Sequence, residues 1–325
     1  MKKGLFIELV LCLSLLTSCT NTPEVNVRTV ACADMPKGRA SACVCVCDGN
    51  AYVFGGRNDS TTYLNDLWQY SPSTDTWTDF GTTPLKARVK AAMASYEGKI
   101  YVGLGYSAQH AYWNSSYQQD WYEFTPATGV WKRLNDFPSP KTIDAHCFAL
   151  HGNIYVIYGF GYGFTRDIWS YNIADDKWTQ AADDWHRAKW NFGGCGAFLN
   201  GLYYYGTGFD THNLTQWYAA DIENNQWTSC PSVPGKGRQW SACAASNDYV
   251  YLFGGRYFAG DMTGGEIFDN YLRYIPDKNQ WEWCGIMPCG KAENQIAFSI
   301  DGKVYFGLGE NENEQTINKL YRVEE

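Results

Sequence analysis

Twelve cysteines and five histidines give this chain its widest chemical reach, because thiols can pair, bind metal or act as nucleophiles. Their spacing argues against most of that chemistry. No Cys-x-x-Cys or Cys-x-x-His pattern marks a zinc site, and His110, His146, His151, His186 and His212 show no paired ligand spacing. Cys43, Cys45 and Cys47 alternate along one short run and so share one face of a strand. These positions read as small buried hydrophobes, and neither a metal nor a cofactor is expected. The fourteen tryptophans carry a different chemistry, that of binding: an indole offers a flat apolar face and a single N–H donor.

The elements that must hold these side chains follow from composition and repetition. Aromatics at 17% and 32 glycines point to many short strands joined by tight turns. The formal net charge is −8, with no run of lysine or arginine, so the electrostatic footprint of a nucleic-acid binder is absent and no nucleic-acid partner is expected.

The first residues form a basic start, Met1-Lys2-Lys3, followed by a mostly apolar run from Leu5 to Leu16 that is too short to span a bilayer comfortably. The run ends in Leu16-Thr17-Ser18-Cys19, which resembles the lipobox of bacterial lipoproteins. The resemblance implies removal of the leader before Cys19, diacylglycerol on its thiol, and a polar tether over 20–26 before the folded part at 27–325. Acyl chains at about 0.8 kcal/mol per buried CH₂ anchor a protein without a spanning helix. The expected location is the bacterial envelope, facing the periplasm or on the outer-membrane surface. Loss of Lys2, Lys3 and Glu8, together +1, would take the charge near −9.

Six times the chain repeats a turn, an aromatic-aliphatic run and glycine. The aligned tyrosines are Tyr52, Tyr101, Tyr155, Tyr203, Tyr251 and Tyr305, spaced 49, 54, 48, 48 and 54 residues apart. A second turn ends in tryptophan after each of the first five units, at Trp77, Trp131, Trp178, Trp227 and Trp281. Each unit of about 50 residues is therefore two hairpins, or four strands. The sixth unit lacks its closing tryptophan strand. Val27 to Pro36 matches that missing strand, because proline follows the tryptophan by seven residues at Pro84, Pro138, Pro234 and Pro288. The N-terminal strand is thus expected to complete the C-terminal unit and close a ring.

Diglycine, tyrosine and tryptophan at these spacings are similar to the kelch repeat, over residues 24 to 325. The resemblance implies an all-β, six-bladed kelch β-propeller of four-stranded blades, with glycines that let the second strand run close to the axis and tryptophans that pack on the neighbouring blade. At the repeat position, full Gly-Gly pairs occur only in blades one and five, at Gly55-Gly56 and Gly254-Gly255. Cys147, Cys195 and Cys243 fall on first strands equivalent to that of Cys43 and Cys45, and Cys32, Cys230 and Cys284 on fourth strands. Equivalent positions on separate blades are expected to lie too far apart for disulfides, leaving Cys284 with Cys289 as the pair to check.

In kelch adaptors two positions recur in the ligand pocket, one just after the glycines and one near the start of strand one. The first set here is Arg57 with Asn58, Tyr106, Phe160, Phe209 with Asp210, Arg256 with Tyr257, and Glu310 with Asn311. The second is Ser41, Lys90, Asp144, Gln239 with Trp240, and Glu293 with Asn294, with Trp190 or Asn191 standing for blade four. Seven tryptophans lie outside the repeat: Trp113, Trp121, Trp185, Trp190, Trp217, Trp240 and Trp283. Several fall near predicted loops, where an indole suits a sugar ring or a protein anchor. The favoured expectation is a monomeric envelope binding module for a carbohydrate or a protein. The alternative rests on a fold-level similarity to kelch enzymes that interconvert sialic acid anomers, which would need an acid and a base from among Asp144, Glu293 and Glu310, with Arg57 or Arg256 on the substrate carboxylate. Galactose oxidase chemistry, also carried on such propellers, lacks its paired histidines here.

Overall fold

The computed structural model describes residues 22–107, 116–139, 142–157, 159–160, 167–182, 192–259 and 265–325. Its strands form six four-stranded antiparallel sheets, plus a small ribbon of Arg256–Tyr257 with Glu266–Ile267. Each repeated hairpin supplies the two inner strands of a blade. The innermost are Cys43–Cys47, Ala92–Tyr96, His146–Leu150, Cys195–Leu199, Ala242–Ala245 and Ile296–Ile300, and they ring a central channel. The first strand, not the second, therefore lies nearest the axis.

The N-terminal strand Arg28–Ala31 pairs antiparallel with Leu320–Glu324 and completes the sixth blade, as the proline spacing predicts. Its seam is built like the others. Trp77 of blade one donates its indole N–H to Ala33 O just beyond that strand, at 2.9 Å, as Trp178 does to Asn135 O and Trp281 to Pro231 O in the preceding blades. A left-handed turn residue reinforces two of these seams: Asp75 accepts from Tyr70 and from Ala33 N, and Asp176 accepts from Tyr171 and from Asn135 N. Residues 22–26, read as tether, run onto blade five, where Val25 N donates to Trp283 O and Trp283 N to Pro23 O.

The hydrophobic core is divided into layers between adjacent blades. Val53, Tyr70, Ile296 and Tyr305 fill the closing seam, and Trp217, Leu252, Tyr274 and Trp281 fill the seam between blades four and five. Two of the seven extra tryptophans belong to this core. Trp121 and Trp217 are fully buried and meet Trp178 and Trp281 edge-on, so they offer no surface to a ligand.

The glycines act at the ends of the second strands. A Cβ on Gly56 would lie 2.7 Å from Ala40 O, on Gly105 2.7 Å from Val89 O, and on Gly255 2.8 Å from Gln239 O. This second glycine recurs because the loop opening the blade passes directly over it. The first position keeps a positive φ but not always glycine: Leu104, Thr207 and Leu308 adopt φ 59, 61 and 55 there, whereas in the two blades with complete pairs a Cβ on Gly55 or Gly254 would lie 2.8 Å from Arg88 O or 2.3 Å from Ala292 O.

Candidate functional site

One end of the channel is framed by six residues in the left-handed region, one per blade: Ser41, Lys90, Asp144, Gly193, Trp240 and Asn294, with φ between 53 and 65. Each opens an inner strand. Their backbones are linked around the mouth, Lys90 N donating to Ser41 O, Ser41 N to Asn294 O, Asn294 N to Trp240 O, and Trp240 N to Gly193 O. A left-handed conformation at a non-glycine residue costs on the order of 1–3 kcal/mol. Repeating it around the ring aims five side chains at one opening.

The residue before each of these pairs with the residue after the glycines. Ala40 bridges Arg57, Val89 bridges Tyr106, Ile143 bridges Phe160, Phe192 bridges Phe209, Gln239 bridges Arg256, and Glu293 bridges Glu310. The two sets read from the sequence are thus neighbours within each blade. Blade four is the exception to the numbering: its ring position is Gly193, with Phe192 beside it, whereas Trp190 and Asn191 lie outside the described residues. A one-residue deletion leaves Gly193 ten residues before Tyr203, against eleven in the other blades, so the ring position falls after Trp190 and Asn191 rather than on them.

Beneath three of the ring positions, Ser41, Lys90 and Trp240, sits support that the sequence reading missed. Arg39 and Arg88, both fully buried, donate bidentately to Asp66 and Asp120 and cap the carbonyls of Gly55 and Leu104. Arg238 takes the same place in blade five, but its partners are Asn270 Oδ1 and Gly254 O, with the guanidinium 4.0 Å from the Phe268 ring. Burial without a carboxylate pulls its pKa down to about 10. Arginine two residues before Ser41, Lys90 and Trp240 is the sequence signal that marks these supports.

The ionic candidates assemble into paired groups. Arg57 bonds Glu310, which also accepts from Asn294 Nδ2 at 2.9 Å. Arg256 holds Glu293 through two bonds, at 2.8 and 2.5 Å. Burial still raises the Glu293 carboxyl above the ordinary 4.5, against the lowering pull of Arg256. Across the mouth, Lys90 Nζ bonds Asp144 Oδ2 at 2.7 Å and lies 4.1 Å from the centre of the Trp240 ring system, whose N–H reaches the same carboxylate oxygen at 3.3 Å. Gly193 makes room for that indole: a Cβ there would sit 2.7 Å from Trp240 Cδ1. Tyr106 packs edge-on against Tyr117, and Phe160, Phe192 and Phe209 form an aromatic arc.

Two candidates are used elsewhere. Asn58 donates to Gly38 O, and buried Asp210 accepts from Thr211 N and contacts His212 in its own loop. Cys19, like Trp113 and Trp185, lies outside the described residues.

Below the mouth the channel opens into a cavity of about 250 Å³, lined by Cys43, Cys147, Cys195, Cys243, His146 and Tyr203 among others. His146 Nδ1 shares a hydrogen bond with Tyr203 OH at 2.9 Å, and burial pulls the imidazole pKa down to about 3. Among the described residues no three His, Cys, Asp or Glu side chains are grouped to hold a metal ion.

The profile of the KLHDC2/KLHL20/DRC7 Kelch-repeats domain matches residues 9–184, more than half of the chain. The chain belongs to the Kelch-repeat family. It is 28% identical to Kelch-like protein 23 of Homo sapiens over 249 residues, 74% of this chain and 40% of that one. It is 25% identical to N-acetylneuraminate epimerase 1 of Escherichia coli O6:H1 over 222 residues, 66% of this chain and 51% of that one. This kelch chain therefore spans about half or less of the curated relatives named here. Among solved structures, "Structure of YjhT" superposes with a TM-score of 0.77 at 13% identity, covering 90% of this chain and 99% of that one, a likeness of fold.

Proposed function

We propose that this kelch propeller is a lipid-anchored envelope module that binds a carbohydrate at the channel mouth, with the lipid carried on Cys19. One observation carries the reading: a partly exposed indole, Trp240, stands at the mouth between an ammonium and a carboxylate. An aromatic ring flanked by polar groups complements a sugar, which has apolar C–H faces and hydroxyl edges. The mouth's ionic groups are already paired with one another, which suits recognition through hydrogen bonds more than a poised catalytic base. A glycan array probed with residues 20–325 should show saturable binding; a blank array would sink the carbohydrate reading and leave a protein ligand. For the anchor, Cys19→Ser should move the protein from the membrane to the soluble fraction, and unchanged membrane retention would refute lipidation.

A second reading is a mutarotase or epimerase acting on an acidic sugar such as sialic acid. It is favoured by the similarity to N-acetylneuraminate epimerase 1 and by Glu293, whose raised pKa suits a proton donor beside the cation of Arg256. An NMR time course of freshly dissolved sialic acid decides it. Faster anomer equilibration supports the enzyme, and an unchanged rate removes it.

A further inference from the structure

The seams between inner strands do not set equivalent residues against each other. Counted from the left-handed residue that opens each inner strand, the second residue onward in one blade packs with the third onward in the next. Cys43 meets Met93, Ala92 meets Cys147, Ala242 meets Ala297, and Ile296 meets Val44, each pair sharing one inter-blade cluster. Where Cys43 faces Met93, the thiol lies 3.7 Å from the thioether sulfur. Between blades three and four the rule gives His146 opposite Gly196; a Cβ on Gly196 would strike the Tyr203 ring at 2.8 Å, so that glycine admits the phenol that bonds His146. Between blades four and five both positions are cysteine. Cys195 and Cys243 share one cluster, line the same cavity and stand at the offset at which Cys43 Sγ and Met93 Sδ approach to 3.7 Å; Cys195 Sγ also lies 3.7 Å from Thr207 Oγ1.

By this offset neighbouring inner strands meet side chain to side chain, as Cys43 and Met93 do, although every described cysteine is free in this structure. The offset also sets Cys195 and Cys243 apart from the other cysteines. Cys284 and Cys289, the pair singled out by sequence, instead donate to their local carbonyls at Glu282 O and Gly290 O.

We infer that Cys195 and Cys243 are a modification site, a redox-convertible pair whose disulfide staples blade four to blade five beneath the channel mouth. The oxidant is a small disulfide entering through the mouth. One cysteine thiolate attacks it and releases one small thiolate, forming a mixed disulfide; the second cysteine thiolate displaces the other small thiolate. Two cysteine thiols thereby lose two electrons and two protons, and one external disulfide becomes two thiols. Because Cys195 lies two residues beyond Gly193 and Cys243 three beyond Trp240, the staple ties together the two strands whose contact seats the indole. Burial raises the Cys243 thiol, so little thiolate exists at neutral pH and conversion quickens as the pH rises.

The test is to treat the reduced full chain with 2-hydroxyethyl disulfide, block remaining thiols by alkylation, and measure intact mass and a peptide map. The expected result is loss of two alkylation sites, with the peptides holding Cys195 and Cys243 joined. Cys243→Ser should keep its Cys195 alkylatable. Recovery of both thiols alkylated in the wild-type chain, or of Cys243 joined to another cysteine, would overturn the inference, and the wild-type map decides this even if the variant does not fold.

Discussion

Blades five, six, one and two line the channel mouth with Arg256, Glu293, Glu310, Arg57 and Lys90, whereas blades three and four, apart from Asp144 paired to Lys90, line the facing side with Phe160, Phe192 and Phe209 around the bare Gly193. Both arcs are built on one backbone plan, a left-handed residue opening the inner strand and a bridge to the residue after the glycines. The scaffold holds that plan through carbonyl contacts and buried arginines, which leave the outward side chains free to differ. Charged and aromatic chemistry can therefore occupy equivalent positions without altering the fold.

The supports beneath the arcs give the largest expected effect. Arg88→Met strands Asp120 beside an apolar side chain and should lower stability by about 3 kcal/mol in urea unfolding. Arg238→Met removes a cation whose hydrogen bonds among the described residues go to neutral groups and whose carboxylate neighbour, Glu266, acts only at longer range, and should change stability by no more than about 1 kcal/mol. Equal losses would show that the carboxylates do not distinguish the two supports.

Gly193→Val probes the junction of the arcs. Its φ of 65 and the 2.7 Å approach to Trp240 Cδ1 predict a loss of about 2 kcal/mol together with a shifted tryptophan emission as the indole is displaced. Unchanged emission would mean the indole does not rest on this glycine.

The arcs should also respond to pH with opposite sign. His146, under the aromatic arc, has a pKa lowered to about 3, so the stability it contributes is complete above 6.5 and is lost as the pH falls from 6.5 through 3, at on the order of 1.4 kcal/mol per pH unit. Glu293, in the charged arc, has a raised pKa, so its contribution is complete below 4.5 and is lost as the pH rises through the raised value. Unfolding curves of His146→Phe should be flatter than wild type on the acid side, and those of Glu293→Gln flatter just above pH 4.5. Parallel pH profiles for wild type and both variants would break the distinction.

The blades, the tryptophan turns and the closing N-terminal strand were legible because each is a local pattern repeated in phase. Harder to read were Ser41, Lys90, Asp144, Trp240 and Asn294 as left-handed residues, since serine, lysine and tryptophan carry no local signal for positive φ. Gly193 was hidden by a deletion, and the placing of Cys195 and Cys243 in one inter-blade cluster by an offset between blades that alignment within the repeat cannot express. The extra tryptophans misled where they were counted together. Trp121 and Trp217 are core, and of the described ones Trp240 is the indole at the mouth.

The central claim is that the mouth binds its ligand through Trp240 beside the charged arc. Titration of the strongest array glycan into wild type, Trp240→Ala and Phe209→Ala tests it most directly. The account predicts at least a tenfold weaker Kd for Trp240→Ala, about 1.4 kcal/mol, with Phe209→Ala affected less. Equal affinity for wild type and Trp240→Ala would contradict it.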